Sequence, residues 1–152
     1  MTDSTAQEPR PLLHMDGIRK TTLMNVLYGL YRADEGTVTL DGQEVVIRDP
    51  RDAISHGIGM VHQNFLQVDT YSVTENIVLG THLPSWPSID LRGEADRIAE
   101  LSTRFGLTVD PSATVADLSV GLRQRVEILK ALYRGAKVLV LDEPTTNLTP
   151  IK

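Results

Sequence analysis

Two adjacent carboxylates, Asp142 and Glu143, follow the uninterrupted apolar run Val138 to Leu141. Such a run predicts a central parallel strand covered on both faces, and ligands of open α/β sheets gather beyond the carboxyl ends of the strands. Because consecutive side chains of a strand point to opposite faces, the two acids can do different jobs. One can help to hold Mg²⁺ beside phosphates, and the other can polarise an attacking water. The alternative is that the pair only caps a loop.

A second candidate lies upstream, where Leu118 to Arg125 open a predicted helix. Ser119 can cap this helix, and Gly121 lets a ligand approach the backbone. The free N–H groups of a helix start favour an anion such as phosphate. Taken alone, a Ser-x-Gly helix start is more often only a cap.

Together and in this order, Leu118 to Arg125 and Leu141 to Thr145 resemble the signature and the strand end of the ATP-binding cassette (ABC) ATPases. The resemblance covers nearly everything from Lys20 to Pro150, and it is closest to the first cassette of the tandem ATPase subunits of sugar and nucleoside importers. Further segments similar to the same family are Gly59 to Gln63, Glu75 to Ile77 and Glu127 to Leu132. The implied activity is transport-coupled ATP hydrolysis with ATP and Mg²⁺ as cofactors.

The resemblance implies roles for three residues that follow the phosphate-binding loop. Lys20 would reach the β/γ-phosphates, and the hydroxyl of Thr21 would bind Mg²⁺. Thr22 would lie near the α-phosphate.

It also implies roles around the metal and the γ-phosphate. Gln63 would bridge the metal, the attacking water and the transport partner; Asp142 would belong to the metal shell, and Glu143 would be the general base. The remaining nucleotide-binding residues are Ser119, Gly121 and Gln124, of which the first two would contact the γ-phosphate held by the opposite subunit of a head-to-tail dimer.

The phosphate loop departs from the family pattern. Its form G-x-x-x-x-G-K-[ST] needs glycine at positions 14 and 19, where this chain has His14 and Arg19. The segment Leu12 to Ile18 looks more like the family's first strand. We therefore expect the stretch that normally separates this strand from the phosphate loop to be lacking. The later strand with the family's switch histidine is also expected to be absent. A non-catalytic binding module is therefore the alternative to an ATPase.

The resemblance implies membrane-embedded permease subunits as partners, together with a second cassette or a second copy of the chain. The expected location is cytoplasmic, peripheral at the inner face of the cell membrane. We further predict that Gln63 to Thr81 faces the permease, because this segment carries Phe65, Leu66, Val68 and Tyr71 among turn-like residues.

Composition excludes several other functions. Fifteen Lys and Arg against twenty Asp and Glu give a net charge of −5, which disfavours nucleic-acid partners and hence an ABC ATPase of DNA repair or translation. The absence of cysteine excludes disulfides and thiolate chemistry. No apolar run approaches the roughly 20 residues that span a bilayer, so no direct membrane span is expected.

The elements that must position these residues alternate between helix and strand, which predicts an α/β fold. We expect a P-loop NTPase-like ABC nucleotide-binding domain with a β-hairpin and a helical subdomain, incomplete at both ends. The expected boundaries are a disordered tail over 1–11, a partial nucleotide-binding domain over 12–152 and a helical subdomain over about 66–118. The predicted helices are 20–31, 51–56, 75–79, 92–105 and 119–134, and the predicted strands are a hairpin over 37–47, 58–61 and 138–141.

Overall fold

The computed structural model of the chain describes residues 13–14, 20–32, 35–61, 66–81 and 89–141. The chain divides into two compact units, Met1–Ala53 and Ile54–Lys152. The tail predicted over 1–11 lies outside the described residues.

The first unit contains strand β1 (Leu13–His14), helix α1 (Lys20–Leu27), and strands β2 (Val38–Leu40) and β3 (Gln43–Val45). The three strands form an antiparallel sheet in the order β1-β2-β3. Asp41 and Gly42 join β2 to β3, and both have a positive φ (51° and 79°), as the tight turns of two-residue hairpins require. The predicted hairpin is confirmed, with shorter strands than expected.

Helix α1 ends at Leu27, so the prediction that it continues to Tyr31 is wrong. Gly29 adopts a φ of +74°, and its N–H donates to the carbonyl of Val26. A Cβ on residue 29 would lie 2.5 Å from the backbone carbon of Asp49, so the chain needs glycine at this close approach. Beyond it, Leu30 and Tyr31 are exposed rather than packed on a helix face.

Helix α2 (Pro50–Ser55) lies at the boundary between the units. Asp49 caps it, because the carboxylate accepts hydrogen bonds from the N–H groups of Arg51 (2.8 Å) and Asp52 (2.9 Å). The helix predicted over 51–56 is thus confirmed one residue earlier along the chain.

The second unit contains strand β4 (Ile58–Val61), helices α3 (Val73–Val78) and α4 (Leu91–Arg104), a 3₁₀ turn (Val115–Asp117), helix α5 (Val120–Tyr133) and strand β5 (Val138–Leu141). Strands β4 and β5 pair in parallel, from Ile58 beside Val138 to Val61 beside Leu141. Both strands occupy the predicted residues. Helices α4 and α5 begin within one residue of the predicted starts, whereas α3 begins two residues earlier.

Strand β5 is less covered than its apolar sequence predicts. Among the described residues it pairs with β4, and only Val140 of its four side chains is buried. The expectation of a strand covered on both faces is therefore wrong for the described part of the chain. The physical reason is that Leu139 borders an open apolar groove of about 520 Å³, which leaves its side chain partly exposed. The other lining residues are Phe105, Leu107, Ile128, Leu132, Ala136 and Lys137.

A hydrophobic core holds the three helices of the second unit together. Its centre is formed by side chains with little or no exposure, namely Val73, Ile77, Val78, Ile98, Val115, Val126 and Leu129. Helix α5 also packs closely on β4: a Cβ on Gly59 would lie 3.0 Å from the Cβ of Ala131 and 2.9 Å from that of Ala136. Only glycine allows helix and strand to approach this closely.

Candidate functional site

The start of α1 carries the residues predicted to follow the phosphate loop. Lys20, Thr21 and Thr22 are the first three residues of α1, and Thr22 is exposed. The first turn of this helix contains no acidic residue. The backbone N–H groups of a first helical turn have no partner within the helix and present a positive end, which suits a phosphate.

Three predicted catalytic and metal-binding residues, Gln63, Asp142 and Glu143, lie outside the described residues. The strands that lead to them are described. Val61 and Leu141, the last residues of β4 and β5, are paired side by side. Both strands therefore end at the same edge of the sheet, where ligands of parallel sheets bind.

Ser119 caps α5 as the sequence predicts. Its φ of −62° and ψ of 158° are those of an extended residue, and its hydroxyl accepts a hydrogen bond from the N–H of Leu122 at 3.4 Å. The hydroxyl proton can still donate to an oxygen of a bound group. No acidic residue lies in the first turn of α5 either.

Gly121 faces open space at this helix start. A Cβ at this position would meet no atom within 4 Å, so packing inside the chain does not require glycine here. The absence of a side chain instead leaves the backbone accessible to a ligand. An open depression of about 330 Å³ lies here, and three predicted nucleotide-binding residues, Ser119, Gly121 and Gln124, contribute to its lining together with Leu122, Arg125 and Ile128.

The start of α5, taken by itself, fits a phosphate, because backbone N–H groups, the Ser119 hydroxyl and open space suit an anion. Within the described ranges, no three His, Asp or Glu side chains are grouped so that they could hold a metal ion. The predicted Mg²⁺ ligands are the hydroxyl of Thr21, the amide of Gln63 and the carboxylate of Asp142, which are oxygen donors of the kind that Mg²⁺ prefers.

Sequence reasoning missed Asn76, a fully buried amide in α3. Its Oδ1 accepts from the N–H of Val68 (2.8 Å), and its Nδ2 donates to the carbonyls of Val68 (3.0 Å) and Ser72 (3.0 Å). Asn76 thereby holds the preceding loop against α3. A signal was present in the sequence, since Asn76 is a polar residue directly before the apolar pair Ile77-Val78 and three residues after Val73.

Ser72 and Glu75 fix the start of α3 with a reciprocal capping box. The Ser72 hydroxyl accepts from the N–H of Glu75, and the Glu75 carboxylate accepts from the N–H of Ser72 at 2.7 Å and from its hydroxyl at 2.8 Å. These bonds from Ser72 lower the pKa of Glu75. The pair therefore defines where the exposed loop ends and the helix begins.

The loop before α3 exposes apolar side chains. Leu66 is 73% exposed, Tyr71 41% and Val68 37%. Gln63 and Phe65, which belong to the same predicted docking segment, lie outside the described residues. None of the helices in the described part of the chain has the length and apolar character needed to cross a bilayer.

A capped helix that precedes a parallel strand, with acids directly after the strand in the sequence, is an arrangement that an ATP-binding cassette contains. The ABC transporter family matches residues 15–146, so the chain belongs to this family. A solved structure of a nucleotide-free ATP-binding cassette from an ABC transporter superposes with a TM-score of 0.66 at 26% identity, over 85% of this chain and 55% of that one. The predicted fold class is thus confirmed.

Import proteins are among the similar relatives. The chain is 50% identical to the nucleoside import ATP-binding protein NupA of Lactococcus lactis and 48% identical to the guanosine import ATP-binding protein NupO of Bacillus subtilis, in both cases over 94% of this chain. It is 42% identical to the glucose import ATP-binding protein TsgD13 of Haloferax volcanii over 91% of this chain. The chain spans 28%, 28% and 30% of the lengths of these three relatives.

Proposed function

We propose that the chain belongs to the ATP-binding subunit of an ABC importer that couples MgATP binding and hydrolysis to the uptake of a nucleoside or a sugar. The observation that carries this proposal is the depression at the start of α5, where Ser119, Gly121 and Gln124 meet in a family member. The transport functions in the names of the relatives favour nucleosides first and sugars second, in the order of their identity to this chain. Residues 12–152 would be part of the nucleotide-binding domain, with 66–118 as its helical subdomain.

The predicted residues would act on the phosphates, on Mg²⁺ and on the attacking water. Lys20 would neutralise charge on the β/γ-phosphates, and the backbone N–H groups around Thr22 would contact the α-phosphate. Mg²⁺ supplies charge neutralisation when bound, and Thr21, Gln63 and Asp142 would hold it. Glu143 would accept the proton of the attacking water.

The open position of the α5 depression favours a dimer. Ser119 and Gly121 face solvent rather than another part of the second unit. A γ-phosphate carried by a second cassette or a second copy could therefore reach the hydroxyl of Ser119 and the free N–H groups of α5. We infer a head-to-tail arrangement with two nucleotides at the interface.

The permease would bind the exposed apolar side chains of the loop before α3. A surface that presents Leu66, Val68 and Tyr71 on a backbone fixed by Asn76 suits a protein partner better than solvent. Such docking would place the chain in the cytoplasm, peripheral at the inner face of the membrane.

Reconstitution of the importer tests the ATPase proposal. The subunit containing this chain is purified with its permease in liposomes, and ATP hydrolysis and uptake of labelled nucleosides and sugars are measured. Glu143→Gln should abolish hydrolysis and uptake while ATP binding persists, because the amide cannot take the proton of water. Glu100→Gln, at an exposed position of α4, is the matched control and should leave both rates unchanged.

Hydrolysis that survives in Glu143→Gln would refute the assigned base. Uptake that proceeds without ATP would refute the coupling.

Photo-crosslinking tests the docking surface. A crosslinker at Leu66 or Tyr71 should capture the permease in the assembled transporter, whereas one at Glu100 on α4 should not. Capture from all three positions, or from Glu100 alone, would show that the loop is not the docking surface.

One observation favours a non-catalytic binding module as a second candidate. His14 and Arg19 stand where the phosphate loop needs glycine. Such a module would dock on the permease without hydrolysing ATP, so crosslinking at Leu66 would succeed while the reconstituted ATPase rate stayed at background.

A further inference from the structure

We propose that Arg123 and Gln67 are positioning residues that fix the exposed loop 66–71 to the phosphate-facing start of α5, so that loop and helix move as one body. The functional consequence rests on the proposed docking of this loop on the permease. The contacts that fix the loop to the helix all lie within the second unit.

The guanidinium of Arg123 joins the loop to the segment that enters α5. Its Nη1 donates to Oδ1 of Asp69 at 2.7 Å, which also makes an ion pair. Its Nε and Nη2 donate to the carbonyls of Leu118 and Ala116, both at 3.4 Å. One rigid planar group therefore contacts both sides of the junction, and lysine could not reproduce this geometry.

Gln67 makes a second contact, in which the loop donates a hydrogen bond to the helix. Its Nε2 donates to the backbone carbonyl of Arg123 at 2.8 Å. Lys130, two turns further along α5, donates from Nζ to the carbonyl of Leu66 at 3.4 Å. Leu66, the most exposed of the large apolar side chains in the loop, thus lies next to two contacts with one helix.

The backbone reinforces the same junction. The N–H of Ala116 donates to the carbonyl of Asp69 at 2.9 Å, and that of Val115 donates to the carbonyl of Tyr71 at 3.0 Å. These bonds hold the end of the loop, whereas Leu66 and Gln67 at its start rely on the side-chain contacts. Loss of the side-chain contacts should therefore free the start of the loop first.

The distance along α5 from these contacts to the candidate phosphate site is short. Arg123 lies one turn after Ser119, and Leu118, one of its acceptors, immediately precedes Ser119. A shift of the helix start toward a bound phosphate would therefore carry Asp69 and Gln67 with it. Two further charged groups of the described residues contact this junction, the carboxylate of Asp69 and the ammonium of Lys130.

An exposed ion pair on its own contributes little to stability. Asp69 has a side-chain exposure of 63%, so the pair with Arg123 is not an important source of folding energy. The side chain of Arg123 is less exposed, at 23%, and two carbonyls already orient its guanidinium. Its contact with Asp69 therefore sets position more than stability.

Spin labels test the positioning directly in the chain itself. The sequence contains no cysteine, so cysteines introduced at Leu66 and Val120 are the only labelled sites. Both positions are exposed. The double electron–electron resonance distance distribution between them should be narrow in the parent and broaden by about twofold in Gln67→Ala/Arg123→Ala, since the start of the loop then opens locally.

Two controls separate positioning from general damage. Arg97→Ala removes another arginine ion pair of the same unit, that with Glu94, and should leave the distribution unchanged. A second label pair at Glu100 and Val120 reports the packing of α4 on α5 and should stay narrow in Gln67→Ala/Arg123→Ala.

An unchanged 66–120 distribution in Gln67→Ala/Arg123→Ala would overturn the proposal. If both label pairs broaden, the variant Gln67→Ala/Asp69→Ala is measured next, because it leaves α5 intact. Broadening of the 66–120 distribution alone would then support the proposal. A 66–120 distribution that stays narrow would overturn it.

The functional arm uses the transporter assembled with its permease. Arg123→Ala should lower the permease-stimulated kcat for ATP by roughly fivefold, a typical allosteric coupling, while KM for ATP stays unchanged. Arg123→Lys, which keeps the charge beside Asp69, should restore part of the stimulation. Equal loss in both variants, or a rise in KM, would overturn the functional part. A parent transporter without stimulation would refute the docking proposal, and the label distances would still decide whether the loop is fixed to α5.

Discussion

Arg19, the residue directly before α1, should determine whether this chain binds nucleotide. In an intact phosphate loop glycine lets several backbone N–H groups surround the phosphates, and an arginine at this position of the motif would bring a Cβ and a long side chain into that space. Loss of two or three charge-assisted hydrogen bonds at about 1.5–3 kcal/mol each weakens binding by roughly 3–9 kcal/mol. That corresponds to about two to six decades in Kd.

Calorimetric titration of the isolated 152-residue chain, without permease or a second cassette, with MgATP should therefore give a Kd near or beyond millimolar. His14→Gly/Arg19→Gly should tighten binding, because it restores both glycines of the motif. A low-micromolar Kd in the parent chain that disappears in Lys20→Ala would contradict this expectation.

Asn76 should be one of the most sensitive single residues of the second unit. Asn76→Ala removes the partners of the Val68 N–H and of two carbonyls. Unsatisfied buried groups of this kind cost about 1–3 kcal/mol in the free energy of unfolding. Urea unfolding followed by circular dichroism measures the loss.

Thr103→Ala is the control for Asn76→Ala. Its hydroxyl makes one hydrogen bond, to the carbonyl of Ala99, on an exposed side of α4. Its effect should stay within about 0.5 kcal/mol. Equal losses in the two variants would show that the buried amide has no special role.

At the scale of elements, periodicity predicted those helices and strands whose limits depend on local sequence. Strands β4 and β5 have the predicted bounds, and α5 starts after Ser119 as expected because its cap is a neighbour in the chain. The end of α1 was predicted wrongly because it depends on Gly29 approaching Asp49, twenty residues away.

The candidate site likewise contains residues that the sequence could predict and a contact that it could not. Ser119 and Gly121 could be predicted, since a cap and an accessible backbone are local properties of a helix start. The contact between Arg123 and Asp69 could not, because it joins residues 54 positions apart. Only the pairing of distant segments brings those charges together.

Helices α4 and α5 are joined by a polar contact whose strength should depend on pH. The hydroxyl of Tyr133 donates to Glu94, and the guanidinium of Arg97 lies 5.5 Å from the ring centre. Burial first, and then the hydrogen bond to Glu94, raise the pKa of Tyr133 to about 12. The contribution of Tyr133 to stability is therefore complete below pH 10 and is lost as the pH rises from 10 through 12, where the unfolded chain releases this proton and the folded chain retains it.

Tyr133→Phe provides the comparison. The difference in unfolding free energy between the parent and Tyr133→Phe should be constant from pH 7 to 9 and should shrink between pH 10 and 12. A difference that does not change over the alkaline range would contradict the raised pKa.

At the scale of the whole molecule, the second unit should fold by itself. The seven residues of the hydrophobic core all lie between Val73 and Leu129, within the unit Ile54–Lys152. A fragment of residues 54–152 should therefore keep helical circular dichroism and a cooperative thermal transition.

Ile98→Ala in this fragment should cost about 2–5 kcal/mol, because the side chain of Ile98 is fully buried in that core. Ala99→Gly, on the exposed side of α4, should cost only about 1 kcal/mol of helix propensity. A fragment that shows no cooperative transition would mean that residues 1–53 are needed for the core to form.

The close approach of Gly59 to Ala131 and Ala136 determines how α5 can move. With no room between strand and helix, α5 cannot translate toward β4, and its displacements reduce to tilting about this contact as a pivot. Ser119 lies twelve residues from Ala131, or roughly 18 Å along the helix axis. A tilt of about 5° would thus carry the Ser119 hydroxyl by roughly 1.5 Å, about half a hydrogen-bond length, with little movement of the strand.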